Sequence, residues 1–324
     1  MGRRSMPSLR SQEHKGTSNA AMTTASDVRP AAATRSIGAV VRDYFTLLKP
    51  SIILLLLITT VPAMVLATED WPDGWLVLAT LVGGILAAGG AGAVNMYIDR
   101  DIDNVMERTR SRPIPSGRIP ARHAVIAGWT MGVASGFWLA LTVNVLSAVL
   151  AVGAFLFYVV IYSMWLKRTT VHNTVLGGVA GAAPPLIGWA AVTGSIEWTG
   201  ALLFLVVFAW QPPHFWALAL LLADDYREAK IPMLPAVRGE AETKYQTLLW
   251  SVLTVAVTLA LGITAQLGAV YFGVAIVGGI GFVLVAWRLY RTPGIEAAPS
   301  MFRYSTSYLA LLFGSMAVDR LLFG

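Results

Sequence analysis

The chain contains no cysteine, which excludes disulfides, zinc–thiolate sites, iron–sulfur clusters and thiol nucleophiles together. Charge is scarce as well: Asp, Glu, Lys and Arg make up 13% of the 324 residues, about half of the roughly 25% in a soluble domain. With 56% hydrophobic residues, the apolar surplus does not fit inside one water-soluble core, and lipid is the natural solvent. The first 40 or so residues have no apolar run at all, so they lack the core of a secretory signal. They are rich in Ser, Ala, Thr and Arg. The expectation is a disordered cytoplasmic tail over residues 1–40, with a transit peptide as the alternative.

What is present instead is a series of apolar stretches of about 20 residues, each long enough to cross roughly 30 Å of hydrocarbon. Nine spans are expected, over about 46–68, 75–97, 122–142, 146–166, 172–193, 199–222, 245–264, 268–290 and 303–323. Breaks such as Pro72-Asp73-Gly74 and Pro293-Gly294 separate them. In lipid these segments must be helices, because an open sheet leaves backbone groups unpaired. The fold class is therefore all-α, a polytopic membrane protein. Glycine pairs inside the spans, Gly83-Gly84, Gly89-Gly90, Gly177-Gly178 and Gly278-Gly279, are expected to let helices approach closely.

Nine spans send the connecting segments alternately to two sides, and 23 of the 24 Lys and Arg residues fall on one of them. Arg320, beside the C-terminus, is the exception. By the positive-inside rule the tail and the basic loops are cytoplasmic, or on the matrix side in a mitochondrion. The net charge of +6 is then a consequence of topology, which argues against a nucleic-acid partner. Acids such as Glu69, Asp70, Asp73 and Glu197 mark the other side.

Two places on the basic side carry acids too. The second span runs out through Asn95, Asp99 and Asp103, spaced i, i+4, i+8 and so on one helix face. Stacked like charges repel, and oxygen donors suit Mg²⁺ or a similar hard cation. Asp101 points elsewhere and is expected to pair with Arg100 or Arg108. A basic loop follows, with Arg108, Arg112 and Arg118, and guanidinium groups are suited to bidentate recognition of phosphate. Carboxylates beside arginines at a membrane surface describe a site for a metal-bridged diphosphate; a solvated loop obeying topology is the plain alternative. The sixth span ends in Trp210-Gln211-Pro212-Pro213-His214 and leads to Asp224, Asp225, Tyr226 and Lys230. The two prolines are expected to break the helix, and the two acidic helix ends to face one another. His214, ionisable and inside a span, is a functional candidate: it ligates haem iron, relays a proton or bonds a propionate, unless it merely bonds a neighbouring helix. Gln211 shares that ambiguity.

Asn95-x-x-x-Asp99-x-x-x-Asp103 followed by Arg108-Thr-x-x-Arg112-Pro-x-Pro-Ser-Gly117 resembles the first signature of the intramembrane prenyltransferase superfamily related to UbiA. The stretches Gly181 to Trp189, Pro213 to Trp216, and Asp225 through Pro235 resemble its haem O synthase branch. The likeness covers roughly residues 45 to 323, so 41–324 is expected to be one transmembrane prenyltransferase domain. It implies nine helices around a central cavity; the short tail leans toward a bacterial inner membrane over a mitochondrial one, and the charge rule makes the N-terminus cytoplasmic. The likeness also implies farnesyl transfer from farnesyl diphosphate to a vinyl group of haem B, with addition of water. In the site so implied, Asn95, Asp99, Asp103, Asp224 and Asp225 hold Mg²⁺. Arg108, Arg112, His214, Asp225, Tyr226 and Lys230, with Asn95, bind the substrates. Partners implied are the lipid bilayer and a haem A synthase or cytochrome oxidase assembly factors. The second acidic loop, reduced here to Asp224-Asp225, departs from the fuller pattern of the wider superfamily. Members that prenylate a quinone precursor or another aromatic acceptor share everything up to Gly117, and the stretch from Pro213 to Pro235 separates them. A transporter would place its charges near the midplane, whereas here they cluster at helix ends.

Overall fold

The structure, a computed structural model, describes residues 36–68 and 70–323. Most of the expected tail, and Glu69, lie outside the described residues. A short helix missed in the sequence, α1 (Ile37–Leu47), precedes the first span, α2 (Pro50–Thr68). The second span is α3 (Gly74–Ile98), continued by a short α4 (Arg100–Val105); the third is α5 (Ala121–Thr142). The fourth is composite: α6 (Val145–Leu156), a π-helix (Phe157–Leu166) and α7 (Lys167–Thr169). Then come α8 (Asn173–Thr193), α9 (Trp198–Leu221), the short α10 (Ala223–Glu228) and α11 (Leu234–Val237), α12 (Gly239–Thr264), α13 (Ala269–Arg291) and α14 (Ala298–Phe323). Among the described residues no strand forms. Eight of these spans are long and apolar enough to cross a membrane, with the apolar part of α2, Ile53–Thr68, as the ninth helix.

The helix ends follow local chemistry. Asp73 accepts a hydrogen bond from the Leu76 amide at the start of α3, 2.9 Å, and Asn144 does the same for Ser147 at α6, 2.8 Å; each satisfies an amide that the first turn leaves free. Gly194 closes α8 at φ +68°, a conformation that glycine adopts without a Cβ penalty.

The spans form a closed ring in chain order, each packed on the next, with α14 returning to α2. Contacts of α2 with α8 and of α9 with α14 cross its interior. Lipid tails are as apolar as leucine, so close packing rather than hydrophobic exclusion holds such helices together. The glycines supply it. A Cβ on Gly90 would lie 2.6 Å from the Gly128 carbonyl oxygen across the α3–α5 contact. Gly90→Ala is therefore expected to cost about 1–3 kcal/mol, read as a lower unfolding temperature in detergent. Gly38→Ala, whose Cβ would meet nothing within 4 Å, is the control that should leave it unchanged.

One expectation fails. Pro212 and Pro213 lie inside an uninterrupted α9, and Pro184 and Pro185 inside α8. A break in lipid would expose further backbone groups, so the helix continues where neighbouring helices brace it. Packing against α8, α12 and α14 provides that bracing.

Candidate active site

The two most buried spans among the eight are α3 and α9, the two that carry the polar constellations. At the end of α3 the axis bends at Asp99 (φ −85°, ψ 5°) without losing the ladder. The Asp99 amide still reaches the Asn95 carbonyl, and the Asp103 amide the Asp99 carbonyl, both at 2.8 Å. The i, i+4 register therefore survives into α4. Asn95, Asp99 and Asp103 are 3%, 1% and 2% exposed, and Asn95 donates from Nδ2 to Asp99 Oδ2 at 2.8 Å.

Buried carboxylates need partners, and each finds one from a different element. Arg112 donates from one guanidinium nitrogen to both Asp103 oxygens, 2.9 and 2.8 Å. Lys167 donates from Nζ to Asp99 Oδ2. Lys49, just before α2, donates from Nζ to Asn95 Oδ1. Burial pushes the Lys49 ammonium down to about 7; Arg112 and Lys167 add to the depression, while Asp99 and Asp103 oppose it. One atom stays unmatched: Asp99 Oδ1 is buried without a hydrogen-bond partner, with an Arg168 nitrogen 3.9 Å away.

The π-helix sets this register. Ser163 Oγ donates to the Tyr158 carbonyl five residues back, 2.8 Å, and accepts from Asn95 Nδ2, 3.0 Å. The wider turn advances the helix phase, and Lys167 follows directly, aimed at Asp99. Lys49 (φ 53°) and Lys230 (φ 55°) are two of three non-glycine residues with positive φ among those described. Strain of this kind persists only where the surroundings enforce it, and it gathers at functional sites.

The segment after α9 closes over this cluster. Ile102 and Met106 share an apolar cluster with Ala219, Ile231 and Met233, and Tyr226 packs against it. Burial raises the Tyr226 hydroxyl above its ordinary range, offset by the neighbouring Arg108 and Arg112. The two loops thus meet, through apolar side chains rather than by the facing acids that the sequence leads one to expect. The meeting is through Tyr226, Ile231 and Met233 packed on Ile102 and Met106; Asp224 lies outside the buried cluster. Its side chain is 96% exposed and pairs with Arg227 three residues on. Among the described residues no three His, Cys, Asp or Glu side chains gather as a metal site. Lys230 is exposed, and Asp225 is half-buried.

His214, 8% exposed, is stacked between Trp210 (4.4 Å) and Phe302 (4.5 Å), and its Nδ1 is bonded to Ser305 Oγ on α14 at 2.8 Å. A neighbouring helix therefore holds one nitrogen and fixes the ring plane. Gln211 is occupied likewise, donating to the carbonyls of Gly178 (2.9 Å) and Val207 (3.3 Å).

The family model described as "UbiA prenyltransferase family" matches residues 56–312. The chain belongs to the UbiA prenyltransferase family. Among curated proteins, it is 48% identical over 285 residues to the protoheme IX farnesyltransferase of Clavibacter sepedonicus, covering 87% of this chain and 93% of that one. It is 49% identical over 284 residues to the protein of the same name from Symbiobacterium thermophilum, covering 87% and 95%. Among solved structures, digeranylgeranylglyceryl phosphate synthase shares the fold at a TM-score of 0.73 and 18% identity, covering 87% of this chain and 99% of that one. A UbiA homologue from Archaeoglobus fulgidus bound to DMAPP and Mg²⁺ does so at 0.58 and 16%, covering 85% and 99%. The chain is an intramembrane prenyltransferase, all-helical and multi-pass.

Within this family frame two groups of cations were hidden in the sequence. Lys49, Lys167 and Arg168 are there three of the 23 basic residues counted to one side, with no spacing to single them out. Arg168 also takes the partner expected for Arg100 or Arg108: it binds both Asp101 oxygens, 2.7 and 2.8 Å, holding that carboxyl down at about 2. Arg100 instead lies over the Tyr97 ring, 4.3 Å from its centre. No spacing rule links positions 68 residues apart. Two lysines at span ends nearest the acidic turn are the only signal the sequence offers.

Proposed function

We propose that the protein transfers the farnesyl group of farnesyl diphosphate to a vinyl group of haem B, with addition of water, to give haem O. The observation that carries this is the buried set Asn95, Asp99 and Asp103 ringed by Lys49, Lys167 and Arg112. It is supported by family membership and by relatives near 48% identity named protoheme IX farnesyltransferase.

The donor set fits a hard divalent ion: three oxygen-bearing side chains on one face, with Asp99 Oδ1 buried and unmatched. Asn95, Asp99 and Asp103 would hold Mg²⁺, with Asp225, half-buried where Asp224 is exposed, as the acid of the second loop that joins them. When bound, the ion offsets the charge that gathers on the diphosphate as it leaves. Arg112, Lys167, Lys49 and Arg108 bind diphosphate oxygens through charge-assisted hydrogen bonds, with Tyr226 beside Arg108. The allylic C–O bond breaks, and the terminal vinyl carbon of haem forms the new C–C bond to the farnesyl carbon. The cation left beside the porphyrin takes oxygen from water, which gives up a proton. The acceptor's π electrons are the nucleophile, so the lack of cysteine costs nothing. His214, its plane fixed by Ser305, Trp210 and Phe302, presents its free edge to the haem. The basic face is cytoplasmic in a bacterial inner membrane, and the N-terminus lies on that side.

The test is incubation of the purified protein with haem B, farnesyl diphosphate and Mg²⁺. Mass spectrometry should find haem heavier by a farnesyl group plus water, and unchanged haem would overturn the proposal. His214→Ala should raise the KM for haem by about ten-fold and leave that for farnesyl diphosphate unchanged. Equal haem KM values would remove the assigned role.

A further inference from the structure

Each oxygen that would face a metal ion, apart from Asp99 Oδ1, already has a protein donor. Lys167 and Asn95 are on Asp99 Oδ2, Arg112 on both oxygens of Asp103, and Lys49 on Asn95 Oδ1. These donors come from four separate elements: the segment before α2, α3 itself, the loop after α4, and α7. They are the same cations that a diphosphate would draw. We infer that Lys49, Lys167 and Arg112 are exchangeable counter-ions: they fill the carboxylate site in the free protein and swing onto the diphosphate when it arrives. The inference rests on the reading of the site given above.

Charge balance is the physical reason. In the free cluster Lys167 and Arg112 already match the two buried carboxylates, and Lys49 brings a further basic group beside them. A divalent ion entering alone adds positive charge that the cluster cannot match in a poorly solvated place, where like charges repel strongly. A diphosphate entering alone meets carboxylates still holding the cations it needs. A divalent ion and a diphosphate entering together offset each other's charge, free the carboxylates for the metal and occupy the cations. Metal and diphosphate must therefore bind with strong positive coupling, each poorly without the other. Lys167 is suited to the exchange: its flexible stem lets one ammonium reach either partner, and its side chain is 17% exposed at the basic face.

The coupling is measured with Mn²⁺ as the metal, by electron paramagnetic resonance, and a non-reactive thio-analogue of farnesyl diphosphate, in detergent-solubilised full-length protein. In the unmodified chain, the analogue should tighten Mn²⁺ binding by about ten-fold or more. Lys167→Met should tighten Mn²⁺ binding measured without the analogue, because the competing cation is gone, while weakening analogue binding and shrinking the coupling. Lys49→Met, which leaves no carboxylate unpaired, should act in the same direction if Lys167→Met fails to fold. A lysine that only binds diphosphate would leave Mn²⁺ affinity without the analogue unchanged. That result in both variants, with normal joint binding in the unmodified chain, overturns the exchange and spares the proposed function. Absence of Mn²⁺ binding with the analogue present would overturn both.

Discussion

Asp99→Asn is expected to lower farnesyl transfer by about a thousand-fold while the protein stays in the membrane and folded. The substitution keeps the size of the side chain and removes only its charge. Asp99 is the centre of the cluster: Asn95 and Lys167 both bond to it, and its second oxygen is buried and unmatched. Asn at this position still accepts from Lys167, so packing survives, but a neutral amide balances neither the lysine nor a bound cation. Single-turnover transfer to haem B, read by mass spectrometry beside an unfolding curve in detergent, separates the two effects. Activity within ten-fold of the unmodified chain, in this variant and in Asp99→Ala, would remove the metal-site assignment.

The second large effect belongs to Arg112. Arg112→Met is expected to reduce turnover by about a hundred-fold. It should also destabilise the fold by about 1–3 kcal/mol, less than for a fully buried pair because the arginine is partly solvated. The stability loss comes from Asp103, which loses a donor to both oxygens while 2% exposed. The double variant Asp103→Asn/Arg112→Met then separates structure from chemistry. Its unfolding temperature should return toward that of the unmodified chain, because no charge is left buried alone, and its activity should stay low. Recovery of both would make the pair a structural brace with no part in diphosphate binding.

How much of this was legible beforehand varies with the physics involved. The spans were readable to within a few residues at most ends, because hydrocarbon thickness fixes their length. The exceptions are instructive. The span expected from 46 begins at Pro50, since a left-handed Lys49 ends α1 and redirects the chain. The π-helix over Phe157–Leu166 has the composition of any apolar span and left no mark in it. The Pro212-Pro213 pair was misjudged, because the tendency of proline to break a helix is measured in water and α9 is braced by three neighbours.

The acidic turn was legible for a local reason: Asn95, Asp99 and Asp103 are one turn apart, and helical periodicity alone puts them on one face. Their counter-ions were not. Lys49 and Lys167 lie 46 and 68 residues from their partners, and only the closing of the ring brings those helix ends together. Asp224 and Asp225 show the converse. Adjacent in sequence and alike in composition, they part company in space, with Asp224 turned to solvent beside Arg227.

The sequence by itself determined what short-range rules control: an all-helical chain in lipid, a one-sided distribution of basic residues and an acidic face at the end of one helix. Tertiary structure alone decided which cations meet those acids. That choice depends on a π turn, a left-handed lysine and the packing of four distant segments, and an electrostatic pairing is selected by distance in space, which no spacing along the chain encodes.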